Sequence, residues 1–134
     1  MAGTYGCELD PAELTPADRA LLQREIRIYR EVSGLVAKGD YYRLSDPYRD
    51  GYAAWGTVSK DGRRCLLSAV AGEDWTEDGR DLTVIPAGID EKILYRSSLD
   101  DKIYPGGRLL SEGVTVIRAA KRYDAGRILF EAAE

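Results

Sequence analysis

The chain has 134 residues, of which 44% are apolar and 31% charged, and carries a net charge of −4. That is room for one globular domain with its own core, and it leaves no basic footprint to recruit nucleic acid or an anionic membrane. Histidine is absent, which removes the commonest general base, the commonest metal ligand and every Ser-His or Cys-His dyad.

Asp10-Pro11 reads as a cap with proline at the first helical position, giving one turn through Leu14. Thr15-Pro16 repeats the pattern more strongly, because Asp18 also favours the positive end of a helix dipole. A long helix from Pro16 to about Val36 follows, with no glycine before Gly34. Leu22, Ile26, Tyr29, Ser33 and Val36 form one apolar stripe on it; Leu21, Ile28, Val32 and Leu35 form a second, adjacent one. Together they are wider than a helix lying on one small sheet requires. The expectation is that a sheet covers the stripe of Tyr29 and Val36. The stripe of Leu21, Ile28 and Val32 is then exposed or hidden in a homodimer through the helix.

After Gly39-Asp40 the chain changes to strand character. Strands are expected at 41–44, 52–59, 64–70, 82–85, 93–98, 109–110, 114–117 and 127–132. Lys60-Asp61-Gly62 is a hairpin signal. Pro86-Ala87-Gly88, Pro105-Gly106-Gly107, Gly113 and Asp124-Ala125-Gly126 read as turns. The fold class is therefore mainly β: an antiparallel β-sandwich of seven or eight short strands preceded by one long amphipathic α-helix.

No apolar run approaches the roughly 18 residues of a membrane span, and the N-terminus lacks the charged and apolar regions of a secretory signal. Cys7 and Cys65 lie far apart without metal-like spacing, and Cys65 sits in an apolar run where a buried free thiol is expected. A reducing, cytoplasmic setting fits. Pro105-Gly106-Gly107 is neither a Walker nor a dinucleotide loop, so no cofactor is indicated. Asp90, Glu91, Asp100 and Asp101 match no EF-hand spacing and read as solvated turns, so no metal site is assigned. Carboxylates are numerous, and nothing in their spacing singles out an acid/base pair.

The two tryptophans are the candidate sugar platforms, since a flat ring can stack on the apolar face of a hexose. Trp55 lies in a strand, where a place in the core is expected. Trp75 lies in an acidic loop between Asp74 and Glu77 and is the substrate-binding candidate.

The order of segments resembles the C-terminal part of bacterial family 36 glycoside hydrolases, the α-galactosidases. Gly6-Cys7-Glu8-Leu9-Asp10, Leu14-Thr15 and the helix through Ile28-Tyr29-Arg30 resemble the last strand and helix of that family's barrel. Gly39-Asp40-Tyr41-Tyr42-Arg43-Leu44 resembles the signature just after that helix. Ser45-Asp46-Pro47-Tyr48, Ala53-Ala54-Trp55 and Val58-Ser59 resemble the first sandwich hairpin. Gly88-Ile89-Asp90 and Leu94-Tyr95-Arg96 resemble a later Gly-Leu-Asp and Leu-Tyr-Arg stretch. Cys7 departs from the aromatic residue more often found there.

The resemblance implies a division into residues 1–38, similar to the end of a (β/α)8 barrel, and residues 39–134, a C-terminal β-sandwich. It implies a parent that hydrolyses terminal α-galactosides with retention, using two aspartates on earlier barrel strands and no metal. Neither catalytic role falls on a residue of this chain, so no catalytic residue is assigned. The implied function is an accessory domain, not catalytic alone, whose partner is the catalytic barrel of the parent. The alternative is a carbohydrate-binding sandwich module using exposed aromatics.

Overall fold

The computed structural model describes Gly3 and residues 6–134. Met1, Ala2, Thr4 and Tyr5, counted above in the N-terminal segment, lie outside the described residues. The elements run α1 (Pro16–Lys38), β1 (Asp40–Arg43), α2 (Pro47–Asp50), β2 (Tyr52–Val58), β3 (Arg64–Ala71), β4 (Arg80–Val84), β5 (Leu94–Ser97), β6 (Ile103–Pro105), α3 (Gly106–Glu112), β7 (Val114–Ala120) and β8 (Ala125–Ala132).

Helix α1 begins where its capping chemistry puts it. The Thr15 hydroxyl accepts from the Asp18 N–H at 3.2 Å, and the Asp18 carboxylate accepts from the Thr15 N–H at 3.3 Å. This is a reciprocal capping box with Pro16 at the first helical position. The helix ends at Gly39, whose N–H donates to the Leu35 carbonyl at 2.7 Å. A Cβ at Gly39 would stand 2.6 Å from that carbonyl oxygen and 2.8 Å from the carbonyl oxygen of Val58, so only glycine fits the junction.

The strands form two antiparallel sheets. The larger has the order β1-β2-β3-β8-β5-β6, and the smaller pairs β4 with β7. Alternate residues of the larger sheet point inward: Ala54 and Val58 from β2, Cys65, Leu67, Ala69 and Ala71 from β3, Ile128 and Phe130 from β8, Tyr95 from β5. They meet Leu82 and Val84 of β4 and Val116 and Ala120 of β7 in one buried cluster. The period-2 alternation of a half-covered strand dictates this division. Tyr95 is fully buried, yet its hydroxyl donates to the Gly62 carbonyl at 2.6 Å and accepts from the Asp90 N–H at 3.0 Å. One side chain thus ties the β2–β3 turn to the loop before β5.

The other face of the larger sheet carries Leu66 and Leu129, and α1 lies on it. The molecule is layered as helix, six-stranded sheet, two-stranded sheet: a β-sandwich backed by one long helix, as the sequence pattern indicates.

Three expectations need correction. Leu109 and Leu110 are helical, in α3, not a strand. The Gly106 N–H donates to the Ile93 carbonyl at 2.8 Å and the Gly107 N–H to the Glu91 carbonyl at 2.9 Å, so the preceding loop satisfies the first turn of a helix. Leu109 is then driven fully into the core. Trp55 is not in the core between the sheets. It is half-buried on the helix side of β2, across from Ser68, because Ala54 and Gly56 take the inward positions of that strand.

The division of α1 differs from the expectation in part: Val36 packs toward the sheet and Leu21 is exposed as expected, but Val32 and Leu35 of the second stripe are the residues that the sheet covers fully. The sheet buries Val32 and Leu35, 2% and 5% exposed, with Val36 packed partly against them. Leu22, Ile26 and Tyr29 are half-buried and Leu21 is 57% exposed. The junction at Gly39 leads into β1 without an intervening loop, so the rotation of the last helical turn is set by that link. Val32 and Leu35 are the residues it aims at Leu66.

Candidate functional site

Trp75, the substrate-binding candidate, is 6% exposed. Its indole Nε1–H donates to the Ala120 carbonyl at 2.9 Å. The Tyr52 ring meets it edge-on, with centroids 5.7 Å apart and planes at 84°. The Arg80 guanidinium lies over the ring, 4.0 Å from its centre. The indole therefore closes one end of the core, and no open ring face remains for a sugar. Its acidic sequence neighbours point away while the ring turns in. The signal available in the sequence is its size, since a tryptophan seldom stands exposed in a loop of a stable domain.

The acidic residues at 90–101 do not converge. Asp100 accepts from the Tyr104 hydroxyl at 2.8 Å, Asp101 pairs with Arg96 at 2.8 Å, and Asp90 accepts from the Lys92 N–H at 2.8 Å. Among the described residues, no group of three or more Cys, Asp or Glu side chains is placed to hold a metal ion.

A glycosidase acid must hold its proton near neutral pH, which requires a raised pKa. Four carboxylates are held below their ordinary range instead. The Arg127 guanidinium lowers Glu25, the Asp46 N–H lowers Asp50, the Ser59 hydroxyl and Arg63 N–H lower Asp61, and the Tyr104 hydroxyl lowers Asp100. Each of the four is engaged by neighbours within the fold. Of the two thiols, Cys7 is exposed, while burial pushes Cys65 up to about 12, where it is inert as a nucleophile.

The most organised polar contact lies where α1 meets the sheet. Arg127 of β8 donates to Glu25 of α1, at 2.9 Å to each carboxylate oxygen. Nearby, Arg64 pairs with Glu131 at 2.9 Å and reaches the Glu31 carbonyl of α1 at 3.4 Å. A groove of about 590 Å³ runs beside this junction, with Ile28, Leu99 and Leu129 among its walls and Arg24, Glu25 and Arg127 at its rim. Sequence reading missed Glu25 and Arg127. The available signal is that Glu25 stands in register with Ile28, Val32 and Leu35, a charge on an otherwise apolar stripe. Among the described residues one buried side-chain atom, the Ser68 hydroxyl, has no hydrogen-bond partner; Ser68 stands on β3 opposite Arg127 of β8 and Trp55 of β2. The arrangement can clamp a helix to a sheet.

No protein-family model matches the chain. It is 30% identical over 132 residues to the bifunctional α-galactosidase/sucrose kinase AgaSK of Mediterraneibacter gnavus, across 97% of this chain and 14% of that protein. It is 35% identical over 68 residues to α-galactosidase AgaA of Geobacillus stearothermophilus, across 51% of this chain and 9% of that protein. Among solved structures, the galactosidase domain of AgaSK superposes with a TM-score of 0.85 at 26% identity, covering 93% of this chain and 17% of that one. The family 36 α-galactosidase AgaA of G. stearothermophilus superposes with a TM-score of 0.85 at 24% identity, covering 94% and 17%, and shares the fold. The chain thus spans about one seventh of the AgaSK relative that it matches nearly end to end. Homology along almost its whole length, with the same fold, identifies this chain as the counterpart of one portion of the α-galactosidases of glycoside hydrolase family 36.

Proposed function

We propose that the chain is the accessory C-terminal β-sandwich of an α-galactosidase, supporting a catalytic barrel and performing no hydrolysis alone. The observation that carries this reading is the match of 97% of the chain to only 14% of its AgaSK relative. Residues 1–38 take the place of the end of the barrel and residues 39–134 form the sandwich proper. Helix α1 then belongs to both units. Its Val32–Leu35 stripe and Glu25 hold the sandwich, and the side carrying Leu22 and Ile26 faces the barrel. In the isolated chain a homodimer through the helix competes for that side. Two free cysteines, one of them exposed, suit a reducing, cytoplasmic setting. Among the described residues no helix is long and apolar enough to cross a membrane.

The test is a replacement. The corresponding portion of the AgaSK galactosidase domain is exchanged for this chain, and activity on a nitrophenyl α-galactoside is measured. A folded, active chimera supports the reading. A chimera that folds with intact catalytic residues yet binds no substrate, or whose barrel fails to associate with this portion, overturns it.

A further inference from the structure

The smaller sheet has two strands facing a sheet of six. It packs over β3 and β8. The inner face of β5 and β6 therefore has no strand above it, and a groove of about 590 Å³ occupies that place. Every residue from Gly113 to Arg118 lines this groove. Successive side chains of a strand point to opposite faces, so a groove lined by consecutive residues runs along the strand's backbone edge.

That edge carries no ladder. β7 pairs only with β4, and among the described residues no other backbone group bonds to Val114–Arg118. Val116 is skipped even by β4, whose register passes from Thr83 opposite Thr115 to Leu82 opposite Ile117. The Val116 carbonyl faces Gly126 of β8 instead. An open edge is a template for a further strand, and proteins usually blunt it by shortening it or placing proline there. β6 is treated in that way, with three residues ending on Pro105. β7 is bulged at Val116 but neither short nor broken by proline: it has seven residues and the strand-forming run Val114-Thr115-Val116-Ile117.

The groove's floor and walls select what could lie in it. Tyr104 of β6 forms part of the floor, its ring set edge-on to Phe130 with centroids 6.1 Å apart. Leu99 stands half-exposed at the mouth. Arg108 of α3 and Arg118 of β7 flank the groove; Arg108 is tied to Glu112 at 2.8 Å, whereas Arg118 is 81% exposed and comes no nearer than 4.0 Å to Asp81. Asp100, the acid in the groove's lining, already accepts from the Tyr104 hydroxyl and the Lys102 N–H. Of the charged side chains at the groove, Arg118 is the one held most loosely and so the one open to an anion.

We infer that the β7 edge is a receptor for an extended peptide segment of about five residues bearing a carboxylate, which joins as the third strand of the smaller sheet. Its backbone meets the open edge of β7. Its inward side chains are apolar and rest on Tyr104 and Leu99, and its carboxylate pairs with Arg118. This goes beyond the accessory role and does not depend on it.

The test uses the whole isotope-labelled chain and two blocked heptapeptides of alternating threonine and valine, one with a central aspartate and one with a central lysine. The aspartate peptide is expected to shift the amide resonances of Val114–Arg118 and Tyr104, and to slow hydrogen exchange along β7. It should bind about threefold more tightly than the lysine peptide, the size expected of one exposed ion pair. Arg118→Glu should reverse that preference with an unchanged melting temperature. The proposal is overturned by absence of any shift at millimolar peptide, or by shifts confined to β1 or β4. It is equally overturned if β7 amides are already protected in a dimer that forms with rising concentration, which would place a second copy in the groove.

Discussion

Arg127 on the last strand and Glu25 on the first helix are 102 positions apart and meet at 2.9 Å, one guanidinium nitrogen lying between both carboxylate oxygens. Both side chains are mostly covered, at 30% and 25% exposure, so the pair is screened less than a surface bridge. The contact joins the two ends of the chain and fixes where α1 lies on the sheet.

Because Arg127 depresses the Glu25 pKa, the pair's stabilisation has a defined pH window. It is fully present above the unfolded value of about 4.3 and is lost as pH falls through the lower folded value. Glu25→Gln should cost about 1 kcal/mol at pH 7. Urea melts of the two proteins should converge in strongly acidic buffer. A difference that stays constant down to pH 3 would assign the loss to packing rather than charge.

The two tryptophans should behave unequally. Trp75→Ala removes a core-closing ring and its hydrogen bond to the Ala120 carbonyl, and should cost about 3–5 kcal/mol. Trp55→Ala, at a half-buried position on the helix side, should cost about 1–2 kcal/mol. Urea denaturation of both variants measures this, and equal losses would place the two rings in equivalent surroundings. Galactose should leave the Trp75 fluorescence unchanged.

Leu35→Ala should cost about 2–4 kcal/mol, because the residue is closed in by the sheet. Leu21→Ala should stay within about 0.5 kcal/mol of the parent chain. Thermal melts report both. A larger effect at Leu21 would mean that this side of the helix is covered in solution.

With its pKa pushed up to about 12 by burial, Cys65 should resist alkylation in the folded protein at pH 8. Exposed Cys7 should react at once. A thiol titration should count one fast site in buffer and two in denaturant. Two fast sites in buffer would contradict the closed core.

Much of the fold was legible because its signals are local. Thr15, Pro16 and Asp18 announce α1 through cap chemistry alone, and Lys60-Asp61-Gly62 announces the β2–β3 turn. Features set by distant partners were not legible. Helix α3 begins only because the loop at 91–93 accepts its first N–H groups, and nothing at Pro105-Gly106-Gly107 encodes that. Periodicity draws two stripes on α1 and does not say which one the sheet takes; the close approach at Gly39 decides it. Likewise, the burial of Trp75 depends on Ala120 and Tyr52, which are not its sequence neighbours. The collinear family resemblance was legible because it rests on the order of short motifs rather than on their contacts.

The central claim is that this chain supports an α-galactosidase without being one. Its most direct test is hydrolysis of a nitrophenyl α-galactoside by the purified chain. The account predicts release of nitrophenol at the rate of the buffer blank. Turnover well above the blank, abolished by replacing a single carboxylate of this chain, would contradict it.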